Sequence, residues 1–435
     1  MTSATPAPGG LIRHSGEPRT CYARWREEIQ AGEGLLLVDF TLDQYWLESV
    51  SPLSLTAVYH LRGGVLNLAV TDRHLAVEEN LSPSEQYRRW VVGHQLLSVD
   101  PTEPLRLQPA TIDKPWGREI WFTGVERRAV CHFANGKASA PIPWLQAALP
   151  SDVAGVQGEP LPLLKILDPR AQPVLGDLYF ELHETKREVY VVTHIDRQAW
   201  PDGTGYIRFG FEPEQVARYP DHHQFRMAYL AAVTEYEAQR RDIDGLAERG
   251  RAADSGALLR ERQLREAMDR FTAMRPLREG DVVQVPPMLP HALQHGVRVV
   301  EFQTATYERK ILSFAQKVLT QDRWDTHEAV PRMRLFPPDE APCAPCNGAQ
   351  DVRVEQIADF PEFEVQRITM RPGRGWRPEP CPDYRIVAVL SGSLDVAGVP
   401  CGPEQAVLLP RLWRGLLAAT QGAQSPVFLV ARPRR

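Results

Sequence analysis

Two short stretches constrain this chain more than any other part of it. In the first, Leu178, Phe180 and Leu182 alternate with Tyr179, Glu181 and His183, the period of two that marks a half-buried strand. Glu181 and His183 therefore point to one face. After a polar break, Val189 and Val191 alternate with Glu188, Tyr190 and Val192. Pairing of the two runs as a hairpin brings Glu188 back beside His183, and carboxylates converging with imidazole suit a divalent transition metal. Taken alone, Glu-x-His-x4-Glu is short, and a surface hairpin with a charged outer face accounts for it equally well.

The second stretch shifts that balance. Gly280-Asp281 is a turn, Val282 to Val285 a strand, Pro286-Pro287 a stop, and His291 opens the next apolar segment. A Gly-Asp turn, a strand, Pro and then His resembles the second half of the cupin signature, as the first stretch resembles its first half. Cupins carry His-x-His in the first half, and Glu181 stands where the first His would be. The resemblance implies a mainly β fold, a cupin β-barrel or jelly roll.

A chain of 435 residues exceeds one ordinary core, so two or three domains are expected. The net charge of −5 provides neither a basic groove for nucleic acid nor a polybasic patch for a membrane. No apolar run reaches the ~20 residues that span a bilayer, and the first twenty residues lack the apolar core of a secretory signal. Six Cys are sparse for a disulfide scaffold, and the expectation is a soluble, cytoplasmic protein. Oligomeric state is left open. Cys343-Ala-Pro-Cys346 has the spacing of half a zinc site but no second pair to complete it, and it follows a Pro-rich run that reads as a linker.

In chain order, residues 1–20 read as a disordered tail and residues 21–103 as a β-rich domain of unassigned role. There, Leu35 to Phe40 is a strand, Thr56 to His60 pairs with Val65 to Val70 around Arg62-Gly63-Gly64, and Ser82 to Val92 is a short helix with Ser82 or Ser84 as its cap. His60, His74 and His94 are scattered and read as core or surface histidines. Residues 104–330 form the metal-binding cupin. Within it, residues 213–276 are a helical insertion, a structural helical pair with a lid over the pocket as the alternative. Residues 331–350 are a linker, and residues 351–435 a second, degenerate cupin-like domain. No His follows His327, so that last domain is expected to be metal-free.

From Pro104 to Ala329 the order of segments resembles the type I mannose-6-phosphate isomerases. The resemblance rests on Lys114-Pro-Trp-Gly117, the strand Leu163-Leu-Lys-Ile-Leu-Asp168, Glu181-Leu-His183, Lys186-Arg-Glu188, the run from Gly280 to Pro290-His291-Ala292-Leu293, and Gly296 to Gln303. It implies one divalent metal, zinc, held by Glu181, His183, Glu188 and His291. It also implies proton transfer between adjacent carbons of an aldose and a ketose phosphate through an enediolate, with mannose 6-phosphate and fructose 6-phosphate as first candidates. Arg309 would hold phosphate or the enediolate, and Lys186 would bind phosphate or shuttle protons, unless it is a solvated turn lysine. Glu184 is a guess at the general base.

The sequence departs from the family pattern at three points. The family's first ligand is Gln, not Glu. Only Glu184-Thr185-Lys186-Arg187 separates His183 from Glu188, where the family has a longer, substrate-reaching loop. The family's Arg is offset relative to Thr306-Tyr307-Glu308-Arg309. Two alternatives stay open: a metal cupin with another activity, such as a different sugar isomerase or a dioxygenase, and a non-catalytic sugar-binding module.

Overall fold

The structure is a computed structural model that describes residues 11–29, 33–339, 344–346, 351–420 and 424–434. Residues 1–10 of the expected tail and the Cys343 thiol fall outside the described residues, as does the side chain of Cys346. Strand makes up 37% of the chain and helix 20%, and the sheets do not close into a barrel. The chain divides into two units, one of Met1–Ala110, Trp121–Pro162 and Cys343–Arg435, the other of Thr111–Ile120 and Leu163–Pro342.

This division differs from the expected domain order. In the first unit, a four-stranded sheet runs Leu11–Ser15, Gly34–Leu42, Leu53–Arg62 and Val65–Thr71. Part of the expected tail is thus ordered. Leu11 pairs with Leu35 in a parallel ladder, and Glu17 caps the helix Pro18–Glu28, which buries Tyr22 and Trp25. The helix Pro83–Gly93 carries a capping box between Ser82 and Glu85. A nine-stranded sheet in the same unit joins Leu105–Gln108 and the hairpin His132–Ala134/Ser139–Pro141 to the C-terminal strands, because Ala406–Leu409 pairs with Leu105–Gln108. Strand periodicity identifies a strand but not its distant partner, so the pairing of these segments with the C-terminal strands is set by the tertiary structure.

The second unit carries a six-stranded sheet, ordered Val282–Val285, Glu188–Ile195, Val297–Gln303, Leu163–Pro169, Gly117–Trp121 and Ala110–Lys114, and a five-stranded sheet, ordered Thr272–Leu277, Gly205–Phe211, His291–Leu293, Phe180–Leu182 and Lys310–Ser313. The Lys-x-Trp-Gly motif packs onto the first of these. Gly117 has φ +154°, and a Cβ there would lie 2.3 Å from the Asp168 carbonyl oxygen, so only glycine fits. Trp116 beside it is fully buried.

The helical insertion consists of Pro213–Val216, His222–Glu248 and Ser255–Asp269, the last two capped by Asp221 and Asp254. It stops short of Pro276, because Thr272–Leu277 turns into an edge strand against Gly205–Phe211, a place where proline is tolerated. Phe225, Tyr229, Val233 and Tyr236 form one buried stripe. The contacts of Phe225 and Tyr229 with Phe211, which meets Phe180 edge-on at 6.0 Å, make the helices a buttress behind the strand that carries Glu181. The expected linker also begins as packed chain, since Met333 and Leu335 lie in this unit's core.

Candidate metal centre

The two strands bearing the first motif do not form a hairpin. Phe180–Leu182 lies in the five-stranded sheet, with Glu181 opposite His291, whereas Glu188–Ile195 lies in the six-stranded sheet between Val282–Val285 and Val297–Gln303. Glu188 reaches His183 because the turn Glu184–Arg187 crosses from one sheet to the other.

His183, Glu188 and His291 converge, with one ligand atom from each lying within 4.8 Å of the others. His183 Nε2 is 3.3 Å from Glu188 Oε1, and His291 Nε2 is 3.2 Å from Glu188 Oε2. His183 and Glu188 are each 1% exposed. Both imidazoles have a fixed tautomer: Nδ1–H of His183 donates to the Glu308 carbonyl at 3.0 Å, and that of His291 to the Leu289 carbonyl at 3.1 Å. A carbonyl can only accept, so both Nε2 atoms are left as bare acceptors facing Glu188. Glu181, the fourth residue anticipated, lies outside this group of three and is the most exposed of the four, its Oε1 3.9 Å from His183 Nε2.

The electrostatics suit a cation. Burial pulls His183 below its ordinary value, Lys186 adds to the shift, and the ring is neutral. Burial alone would raise the Glu188 carboxyl, but the Lys186 ammonium at 2.6 Å outweighs it and holds Glu188 well below the usual carboxylate range. His183 Nε2, Glu181 Oε2 and Gln303 Oε1 are buried acceptors without a hydrogen-bond partner, and Gln303 stands opposite Glu188 in register. Orphaned buried acceptors are costly, and a divalent cation at the trio would give His183 Nε2 the partner it lacks. The residues present fit a metal.

The turn at Met288 holds both histidines. Met288 adopts φ +68°, strained for a side chain of this kind. Its N–H donates to the His183 carbonyl at 2.6 Å, and Leu289 beside it orients His291.

The other anticipated residues are placed differently from one another. Lys186 is buried against Glu188. Glu184 pairs with Arg332 at 2.7 Å. The Arg309 guanidinium lies 4.7 Å over the Tyr179 ring and donates to Thr320, so it makes no bond to the metal-site residues.

Sequence reasoning missed a row of polar groups beside the trio. Tyr190 donates to Glu188 Oε2 at 2.7 Å, Lys165 pairs with Glu301 at 3.3 Å, and Lys114 with Glu119 at 3.2 Å, all of them buried. Burial would lower Lys165, but four carboxylates, Glu301 first, raise it and keep it an ammonium. The signal was present: Lys165 and Glu301 are charges flanked on both sides by apolar residues, Leu164 and Ile166 or Val300 and Phe302, which burial tolerates only with a partner.

No protein-family model matches the sequence, and a search of curated proteins returns no match. Solved structures do match. A mannose 6-phosphate isomerase from Bacillus subtilis superposes with TM-score 0.55 and 14% identity over 76% of this chain and 99% of that one. The fold is that of the mannose 6-phosphate isomerases. A zinc-bound mannose 6-phosphate isomerase gives TM-score 0.55 and 11% identity, covering 77% of this chain and 100% of that one. A variant of phosphomannose isomerase from Salmonella typhimurium gives 0.55 and 10%, with coverages of 77% and 100%. The likeness is thus to the isomerase fold, mainly β and cupin-like, at wide divergence. Among the described residues, no helix is long and apolar enough to cross a membrane.

Proposed function

We propose that this chain is a metal-dependent aldose–ketose isomerase acting on a hexose phosphate, with mannose 6-phosphate and fructose 6-phosphate the first candidate pair. The observation that carries the proposal is the trio His183, Glu188 and His291, buried, with both imidazole Nδ1 atoms bound to carbonyls and His183 Nε2 without a hydrogen-bond partner, in a fold shared with proteins described as mannose 6-phosphate isomerases. These three residues with Glu181 would hold one divalent ion. Zinc is the first candidate, since one neighbour is described as zinc-bound. A cation held there supplies electrostatic stabilisation of negative charge developing on a sugar oxygen.

The chain's own residues supply the rest. The trio's burial keeps water from the reacting atoms. Lys186, an ammonium 2.6 Å from Glu188, is the donor nearest the trio. Arg309 reaches an anionic substrate group only by leaving Tyr179 and Thr320, and Glu184 acts as a base only by leaving Arg332. The extra carboxylate of Glu181 and the four-residue turn Glu184–Arg187 favour one second possibility, a metal cupin acting on a different sugar.

A coupled assay on metal-replete protein, across a panel of aldose phosphates and free sugars, tests the proposal. Turnover of mannose 6-phosphate that depends on added metal is expected. No turnover of any panel member, with the metal demonstrably bound, overturns it.

A further inference from the structure

His183 and the turn that follows it are held by one residue outside the ligand set. The carboxylate of Glu308 accepts the backbone N–H of Lys186 at 2.8 Å and the hydroxyl of Thr185 at 2.9 Å, together with the backbone N–H of Thr185. All three bonds end on one oxygen. The carbonyl of the same residue accepts Nδ1–H of His183 at 3.0 Å. A second tie lies close by, where Arg187 and Thr304 exchange bonds of 3.1 Å and 3.0 Å.

Resting on the metal centre above, we propose that Glu308 is its positioning residue, holding the His183 ring by its carbonyl and the Glu184–Arg187 turn by its carboxylate. The two functions depend on each other. The carboxylate fastens the segment around Glu308 to the turn through charge-assisted bonds, and that attachment keeps the carbonyl at the imidazole. If the carboxylate is removed, the turn's donors pass to solvent and the carbonyl is free to withdraw. The His183 proton can then move to Nε2, the atom that a metal needs bare. The same turn sets Lys186 at Glu188, so the loss also loosens that ion pair.

Three variants of the full chain test this by chelator competition with zinc alone. Glu308→Ala is expected to weaken zinc binding by about 10–100-fold. Glu308→Asp, whose shorter carboxylate cannot span both backbone donors, should weaken it by about tenfold. Glu308→Gln keeps an acceptor at the same reach and should stay within about threefold of wild type. Nitrogen NMR of the metal-free protein supplies a readout that a purely structural role would not move. Wild type should show a single Nδ1–H tautomer at His183, and Glu308→Ala a mixture.

Unchanged zinc affinity in Glu308→Ala and Glu308→Asp overturns the proposal, and so does a Glu308→Gln loss as large as that of Glu308→Ala. If Glu308→Ala does not fold, Glu308→Asp decides. A wild-type protein that takes up no zinc refutes the metal centre itself; a wild type that binds zinc as tightly as all three variants refutes only the role of Glu308.

Discussion

Two sheets of this protein carry comparable rows of cross-strand neighbours with opposite chemistry. In the six-stranded sheet, Val283, Tyr190, Glu301 and Lys165 stand opposite one another across four strands, and the next row holds Val285, Glu188 and Gln303. In the nine-stranded sheet the equivalent row is Val354, Ile368, Phe428 and Val389, part of a core made almost wholly of aliphatic and aromatic side chains. Both rows are buried. The apolar row gains free energy from every side chain removed from water, roughly 25 cal/mol per Å². The polar row must first strip solvent from Lys165, Glu301 and Glu188, and pairing at best offsets that cost. Stability does not call for charge in such a place. The nine-stranded sheet also buries charge, at Glu355, Glu364 and Arg385, but keeps it out of its apolar row, with Glu355 opposite Arg367 in another row; in the six-stranded sheet the charge stands in the row beside the trio, which marks that row as shaped by chemistry.

The largest expected effect separates the sheets outright. His183→Ala combined with His291→Ala should remove all bound metal, from about one ion per chain, by elemental analysis, and leave the apolar core of the nine-stranded sheet intact. Equal metal in both samples would break the comparison at its root. Next come substitutions within the two rows, read from denaturant midpoints. Phe428→Ala should cost about 3–5 kcal/mol through the cavity it leaves. Lys165→Met alone should cost about 1–3 kcal/mol, because Glu301, whose carboxyl burial pushes well above its ordinary value, loses its buried partner. Combining it with Glu301→Leu should return stability to near wild type while lowering turnover in the coupled assay. A double variant as unstable as the single one would mean that the charges serve the fold after all.

A smaller effect tests the motif beneath the polar sheet. Gly117→Ala should destabilise by about 1–3 kcal/mol, since its Cβ meets the backbone of Asp168; a thermal melt unchanged from wild type would contradict this. The smallest effect concerns a buried titrating group away from the metal centre. Burial lowers the His60 imidazole, against the pull of Glu33. The unfolded chain therefore takes up this proton first, so the contribution is intact above about pH 6.5 and is lost as pH falls through the folded value. His60→Gln should flatten the fall of stability between neutral and mildly acid pH without changing metal content. An unaltered slope would show that His60 does not titrate on unfolding.

The sequence determined the local parts. Period two marked the strands at Phe180 and Glu188, Gly280 and the two prolines bounded the strand at Val282, and residue type, order and family resemblance offered four ligands, Glu181, His183, Glu188 and His291. Those features depend on neighbours a few positions away, which a linear pattern records. Tertiary structure decided the rest. It joined Leu105–Gln108 to the C-terminal sheet, set Glu181 opposite His291, and carried Glu188 across to the facing sheet where a hairpin was expected. It turned Arg309 onto Tyr179 and brought Glu308 to His183 from 125 positions along the chain. Backbone hydrogen bonds are the same for any pair of strands, so no residue names its partner strand. Register and sheet assignment follow from how all the apolar faces are buried together, and the reach of a side chain such as Arg309 or Glu308 is fixed only once that packing is complete.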